Sequence, residues 1–154
     1  MRKALRIIAA VVMTAISGSC THNNGDIGPW FGEWKLTSIE IDGSPDAAYK
    51  GNIFWAFQTS VIEMIQVEPV TPDVSDYGQR WGTWSQEENT LTLNFTHHDD
   101  NAAEGSGKYT PYPATHLPGG VSKLGIIKLS GSEIKLSYTA NDGKTYTYSL
   151  KKWG

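Results

Sequence analysis

The chain has 154 residues, of which 39% are hydrophobic, 11% aromatic and 19% charged, with 16 glycines and a single cysteine. This length suits one domain with its own core, and many glycines with few charges favour short strands and turns over long helices. One cysteine excludes an internal disulfide and any site that holds a metal through several thiolates. The formal charge of -3 argues against a nucleic-acid partner, because such binding needs clustered lysine and arginine.

The first 19 residues have the layout of a secretory signal peptide. Arg2, Lys3 and Arg6 form a basic start, an apolar run covers 7–16, and small residues fill 17–19. The apolar run is shorter than the roughly 20 residues that a membrane-spanning helix needs. Residues 1–19 are therefore predicted to be an address that is removed, which leaves ten basic and 16 acidic residues, a charge of -6.

Cys20 follows Ser17-Gly18-Ser19 directly, and this arrangement resembles the lipobox, the cleavage site of bacterial lipoproteins. Cys20 is therefore the predicted attachment point for lipid; the alternative is a thiol that merely lies near a cleavage site. Several acyl chains on one cysteine anchor a protein stably, because each buried methylene contributes about 0.8 kcal/mol. The polar residues 20–29 predict a flexible tether. The predicted location is the bacterial cell envelope, at the outer membrane, on either its periplasmic or its surface face.

From residue 30 to 154 the sequence shows alternating apolar and polar residues between frequent turn signals, which predicts one all-β domain. Leu91, Leu93 and Phe95, for example, share one face of a strand. Eight strands are predicted, at 33–41, 52–57, 61–68, 77–85, 90–96, 122–129, 133–139 and 145–151. Eight antiparallel strands close into an up-and-down barrel, which removes exposed edges and encloses side chains or one small ligand.

Two connections carry specific turn signals. Asp142-Gly143, between the last two strands, predicts a tight hairpin with a type I′ turn, because that turn needs positive φ. The stretch 44–49 predicts one short helical turn, with Ser44 as its cap and Pro45 in its first turn. This turn is expected to cover one end of the barrel.

The second and third predicted strands are apolar on both faces. One face must line the interior, and the other needs cover from a loop or a partner. Glu63 lies among the apolar residues of the third strand. On the interior face it would be a buried acid with a raised pKa; otherwise it meets a hydrogen-bond partner or solvent.

The longest irregular stretch, 97–120, is expected at a barrel mouth, where Tyr109, Tyr112 and His116 would touch whatever enters. Residues 97–100 read His-His-Asp-Asp, the densest cluster of metal-ligand types. Neighbouring strand residues point to opposite faces, so a metal site would need the loop to fold around the ion, with His116 as a further ligand. A solvated strand end is the simpler interpretation, and no metal is predicted.

Catalytic arrangements are missing from the sequence. There is no Gly-x-Ser-x-Gly elbow, and the mature chain keeps no free thiol once Cys20 is acylated. Neither an enzyme nor a cofactor is predicted.

A Gly-x-Trp pattern opens the first predicted strand at Gly32-Glu33-Trp34 and recurs at Gly82-Thr83-Trp84. With the order of the hairpins and a tyrosine-rich last strand, nearly all of the mature chain resembles the small lipocalin-like lipoproteins of Bacteroides-type bacteria. The resemblance implies that Trp34 packs across a closed barrel base near a basic side chain, for which Lys151 or Lys152 would replace an arginine. It also implies that a small apolar molecule binds inside the barrel.

Aromatic side chains are the candidate ligand contacts, since rings offer a large apolar area with little conformational freedom to lose. The candidates are Trp55, Phe57, Trp81, Trp84, Phe95, Tyr109 and Tyr138. The same rings also suit a barrel that they fill completely, with no cavity.

Two function hypotheses follow from these patterns. The first is a lipid-anchored envelope protein that binds a small hydrophobic ligand in a β-barrel. The alternative is a non-catalytic interaction protein that docks on a protein or polysaccharide. Docking would use the outer apolar face of 53–67 or the loop 97–120.

Overall fold

A computed structural model of the protein describes residues 27–67, 79–97 and 109–154. The predicted signal peptide, Cys20 and most of the tether lie outside these ranges. Within them, nine strands form one antiparallel sheet: β1 (Gly32–Ile41), β2 (Ser44–Pro45), β3 (Ile53–Gln58), β4 (Val61–Gln66), β5 (Gln79–Glu87), β6 (Thr90–Phe95), β7 (Gly120–Leu129), β8 (Glu133–Thr139) and β9 (Thr145–Lys152).

Closure of the sheet comes from β1, which pairs with β3 on one side and with β9 on the other. The β1–β9 register runs from Trp34 opposite Lys152 to Ile41 opposite Tyr146. The eight long strands therefore form the predicted up-and-down barrel, and β2 only extends β1 at one end. Closure leaves no long strand of the barrel with an unpaired edge.

The predicted helical turn at 44–49 is wrong. Ser44–Pro45 pairs with the end of β1 as β2, behind a two-residue turn in which Asp42 has φ 50° and Gly43 has φ 83°. Positive φ at both positions is the type I′ geometry of tight hairpins. The Asp-Gly pair sends the chain back along β1, and this pairing outweighs the helix-capping signal of Ser44.

The hairpin between β8 and β9 is present, but its turn is not type I′. Only Gly143 of the Asp-Gly pair has a positive φ, at 85°. The Ala140 N–H donates to the Lys144 carbonyl at 2.9 Å, and the Gly143 N–H donates to the Ala140 carbonyl at 2.9 Å. This loop is the longer hairpin form in which one left-handed glycine follows an ordinary turn.

The middle of the barrel is filled by alternate strand residues. A water-sized cavity beside these side chains would expose part of their surface, yet they have no exposure at all. No water-sized space therefore lies against these side chains. The strand residues with 0% exposure are Trp34, Leu36, Ile53, Trp55, Phe57, Ile62, Met64, Leu91, Leu124, Ile134, Leu136, Tyr148 and Leu150.

Helical structure in the described ranges is limited to two single 3-10 turns, Gly28–Trp30 and Pro113–Thr115. Neither is long or apolar enough to cross a membrane.

Candidate functional site

The base of the barrel, where β1 begins and β9 ends, is closed by aromatic rings. Trp30, in the single turn before β1, is buried with its ring centroid 5.0 Å from that of Phe57 and 5.5 Å from that of Trp84. Its carbonyl accepts a 2.8 Å hydrogen bond from the indole N–H of Trp34. These packed rings leave the opposite end of the barrel as the route for a ligand.

Lys152, and not Lys151, is the basic partner of Trp34. Its ammonium nitrogen lies 4.6 Å from the Trp34 ring centroid and donates a hydrogen bond to the carbonyl of Phe31. Burial lowers the pKa of Lys152. Lys151 is exposed on the outer face of β9. An ammonium over an indole face supplies the attraction that the absent arginine would give, without its planar stacking.

The mouth of the barrel, at the opposite end, is filled by residues 111–117, which we call the plug. Tyr112 and Leu117 belong to the same buried core cluster as the strand side chains. Thr115 is buried as well. The carbonyl of Thr115 accepts a 2.8 Å hydrogen bond from the hydroxyl of Tyr148 on β9. Tyr112 and His116, two of the three residues expected to meet an incoming ligand, thus occupy the mouth themselves.

A second contact, which we call the latch, joins the plug to the segment after β2. His116 Nε2 lies 2.8 Å from Asp46 Oδ2, and the imidazole stacks on the ring of Tyr146 at 4.9 Å. The pKa of the Asp46 carboxyl is lower than usual, mainly because of its hydrogen bond with His116. Tyr49 ties the same segment to β1 by donating to the Leu36 carbonyl at 2.7 Å. Residues 46–49 therefore do lie at the mouth, although they form no helix.

The predicted aromatic contacts divide between the interior and the outer face. Trp55, Phe57 and Phe95 are fully or almost fully buried inside the barrel. Trp84 also faces inward, since it pairs with the buried Leu93. Tyr138 faces the mouth half and stacks on Tyr146 at 6.4 Å. These five candidates line one interior.

Trp81 does not line that interior, whereas Tyr109 packs against the core cluster. Trp81 pairs with Glu63 on the outer side of the sheet, because residues three apart on a strand point to opposite faces and Trp84 points inward. Trp81 and Trp84 are three residues apart, and this odd spacing in the sequence indicates that their side chains lie on opposite faces of the sheet. Both Trp81 and Tyr109 line an outer groove of about 270 Å³, whose other lining residues are Val61, Gly82, Thr83 and His97.

Glu63 is buried on the outer face of the sheet, where it pairs with Trp81. Only 8% of its surface is exposed, and its Oε1 has no hydrogen-bond partner among the described residues. Burial, and to a lesser extent the charge of Glu33, raises the pKa of Glu63. The expected buried acid is therefore present, but outside the barrel.

The outer side of β3 is covered by the protein's own C-terminal segment. Phe54 and Ala56 are buried although they face away from the interior. The ring of Trp153 meets that of Phe54 edge-on at 5.2 Å, and the ammonium of Lys35 lies 5.3 Å from the Trp153 ring centroid. The C-terminal segment thus covers most of the outer apolar surface of β3. The hypothesis of a non-catalytic interaction protein needs this surface to be exposed for docking.

The polar cluster at 97–100 is described only at His97, and residues 98–100 lie outside the described ranges. His116, its expected further member, contacts Asp46 instead. Across the described residues, no three histidine, cysteine, aspartate or glutamate side chains come together as a metal site would require.

A closed eight-stranded barrel with a tryptophan-sealed base defines a lipocalin-like domain. The family model described as "Lipocalin-like domain" matches residues 12–152, so the chain belongs to this family. This membership confirms the resemblance seen in the sequence. Members of the family are generally binding proteins rather than enzymes, and the fold suggests small-ligand binding. No curated protein matches the sequence.

Two solved structures that share the fold are from Bacteroides species. A lipocalin-like protein from Bacteroides uniformis aligns with a TM-score of 0.53 at 20% identity, over 82% of this chain and all of that one. An uncharacterized protein from Bacteroides eggerthii aligns with a TM-score of 0.50 at 16% identity, over 80% of this chain and 99% of that one. At these identities the similarity concerns the fold.

Proposed function

We propose that the protein is a lipid-anchored envelope protein that binds a small hydrophobic ligand in the mouth half of its barrel. The observation that carries the proposal is the plug. Tyr112 and Leu117 fill interior space although they belong to no strand. Because the plug lies outside the sheet, it can move out of the mouth without breaking hydrogen bonds between strands. Its departure would open an apolar space lined by aromatic rings, of the kind that small ligands occupy.

Arg80 indicates which end of a ligand faces the mouth. It pairs with the fully buried Met64, so it stands on the interior side of β5, and its guanidinium lies 5.0 Å from the Tyr112 ring centroid. A ligand that replaces Tyr112 would meet the same cation. An aromatic ring at one end of an apolar molecule fits this position, because a guanidinium binds aromatic faces well.

Lipid attachment at Cys20 would orient the barrel with its base toward the membrane. The described chain starts at Ile27 beside the base, and seven residues of extended chain span at most about 25 Å. The mouth would then face away from the bilayer of the outer membrane, where a ligand has access to the plug. The proposed anchor rests on the lipobox-like sequence around Cys20.

Titration with N-phenylnaphthylamine, an uncharged apolar fluorophore, tests binding in the barrel. Asp46→Ala breaks the latch, and a latch worth about 1 kcal/mol predicts that the variant binds the probe about fivefold more tightly. Asp142→Ala is the matched control, since Asp142 accepts a hydrogen bond from the Lys144 N–H at the same barrel end without contacting the plug. Equal affinities for wild type and Asp46→Ala, or no binding at all, would overturn the plugged-mouth site.

Radioactive palmitate labelling of cells tests the anchor separately. Wild type should incorporate the label and sediment with membranes, and Cys20→Ala should do neither. A labelled Cys20→Ala variant, or an unlabelled wild type, would exclude lipid attachment at this cysteine.

A further inference from the structure

The plug contacts two opposite walls of the barrel mouth through its rings. On β5, the guanidinium of Arg80 lies 5.0 Å from the Tyr112 ring centroid. On β9, the imidazole of His116 stacks on the Tyr146 ring, with centroids 4.9 Å apart and planes 19° from parallel. In the closed order of the eight long strands, β5 and β9 are four places apart, so they stand on opposite walls. The plug therefore places one ring against a flat group on each wall.

A hydrogen bond lies between these two ring contacts along the plug. Thr115 stands between Tyr112 and His116 in the chain, and its carbonyl accepts the hydrogen bond of the Tyr148 hydroxyl. Tyr148 is fully buried, so this hydroxyl loses its acceptor when the plug leaves the mouth. A buried donor without an acceptor is costly. A ligand that takes the place of the plug is therefore favoured if it carries an acceptor oxygen.

The two walls discriminate between aromatic and saturated ligands. Aromatic rings are attracted to the face of a tyrosine and to a guanidinium beyond the effect of the area that they bury. A saturated chain would cover the same apolar surface, but it would recover neither the contact of Tyr112 with Arg80 nor that of His116 with Tyr146. The apolar interior accepts both kinds of molecule, so these two contacts determine the preference of the mouth.

We propose that the ligand of the mouth is an apolar molecule with two aromatic rings and an acceptor oxygen between them. One ring takes the place of Tyr112 on Arg80, the second takes the place of the His116 imidazole on Tyr146, and the oxygen accepts from the Tyr148 hydroxyl. This inference rests on the proposed function and names the chemical class of its ligand.

Displacement of N-phenylnaphthylamine from the full chain by three uncharged compounds tests the proposal. The compound 1,3-diphenylpropan-1-one has two rings and a carbonyl between them. Its saturated counterpart, 1,3-dicyclohexylpropan-1-one, keeps the carbonyl and the skeleton but has no aromatic ring, and 1,3-diphenylpropane lacks only the oxygen. The diphenyl ketone should bind at least about tenfold more tightly than the dicyclohexyl ketone, and about fivefold more tightly than diphenylpropane.

The variant Tyr146→Leu tests the second ring contact. The plug leaves the mouth for either ketone, so the cost of its release cancels in the ratio of their affinities. Tyr146→Leu should lower this ratio about fivefold, because one of the two ring contacts is lost. Phe31→Leu removes an exposed ring at the base of the barrel, and this matched control should leave the ratio unchanged. A circular dichroism spectrum like that of wild type shows that each variant folds, and the comparison of the three compounds on wild type needs no variant.

The outcomes separate this proposal from the binding site on which it rests. Equal affinities of wild type for the two ketones would overturn the proposal, as would equal effects of Tyr146→Leu and Phe31→Leu on their ratio. Equal binding of the diphenyl ketone and diphenylpropane would overturn the contact with Tyr148. In each of these cases N-phenylnaphthylamine still binds and the site in the mouth stands. Failure of N-phenylnaphthylamine itself to bind would refute the site, and the proposed ligand class with it.

Discussion

The hydrogen bond between the Tyr148 hydroxyl and the Thr115 carbonyl is expected to be a main support of the plug. Both residues are fully buried, and the oxygen atoms are 2.8 Å apart. Tyr148→Phe deletes the donor and leaves the carbonyl buried without it, which costs about 2 kcal/mol within a usual range of about 1–3. At about 4 °C per kcal/mol for a domain of this size, the melting temperature should fall by about 8 °C.

Tyr112→Phe is the matched control for this prediction. It also deletes one buried tyrosine hydroxyl from the contact between plug and barrel, but that hydroxyl has no hydrogen-bond partner among the described residues. Its removal should leave the melting temperature unchanged or raise it, because a desolvated polar group disappears. Near-ultraviolet circular dichroism during heating measures both variants. Equal losses in the two variants would show that the Tyr148 hydrogen bond does not hold the plug.

Three further perturbations follow from the structure. Glu63→Gln should raise the free energy of unfolding at pH 7 by about 1 kcal/mol, because it removes a buried charge. In urea titrations below pH 4.5 this gain should vanish, because Glu63 is then protonated in both the folded and the unfolded chain. A gain that does not depend on pH would contradict this cause. Gly82→Ala places a Cβ 2.8 Å from the Asn94 carbonyl oxygen and should cost about 1–3 kcal/mol in thermal unfolding. Gly125→Ala, whose nearest new contact is 3.9 Å, should cost less, and equal losses would count against the steric reason. The stability that Asp46 contributes is present above pH 3.8 and is lost as the pH falls through the lower pKa of Asp46 in the folded chain. Acid should therefore weaken the latch of the wild type. N-phenylnaphthylamine should then bind more tightly to the wild type in acid, with a smaller change for Asp46→Ala, which has no latch.

The strands could be predicted because their signals are local, and the closure of the barrel was predicted from the number of strands. The alternation of Leu91, Leu93 and Phe95 identifies a strand and its inner face without knowledge of its neighbours. The position of Trp34 at the base of the barrel was implied by the resemblance of its Gly-x-Trp pattern to lipocalin-like proteins. The hairpin turn at Asp42-Gly43 was not predicted, although it has the same Asp-Gly pair that predicted a hairpin at Asp142-Gly143. These features depend on backbone geometry within a few residues.

The sites depend on contacts between distant residues, and the sequence alone did not determine them. His116 and Asp46 are 70 positions apart, and no local pattern records their contact. The plug fills the mouth because the barrel offers apolar surface there, which exists only after eight strands have closed. Glu63 is buried although it lies on the outer face of β4, and the alternation of the strand does not indicate this. Periodicity fixes which residues can share a face, but only tertiary packing decides which faces are covered and which polar groups are left without partners.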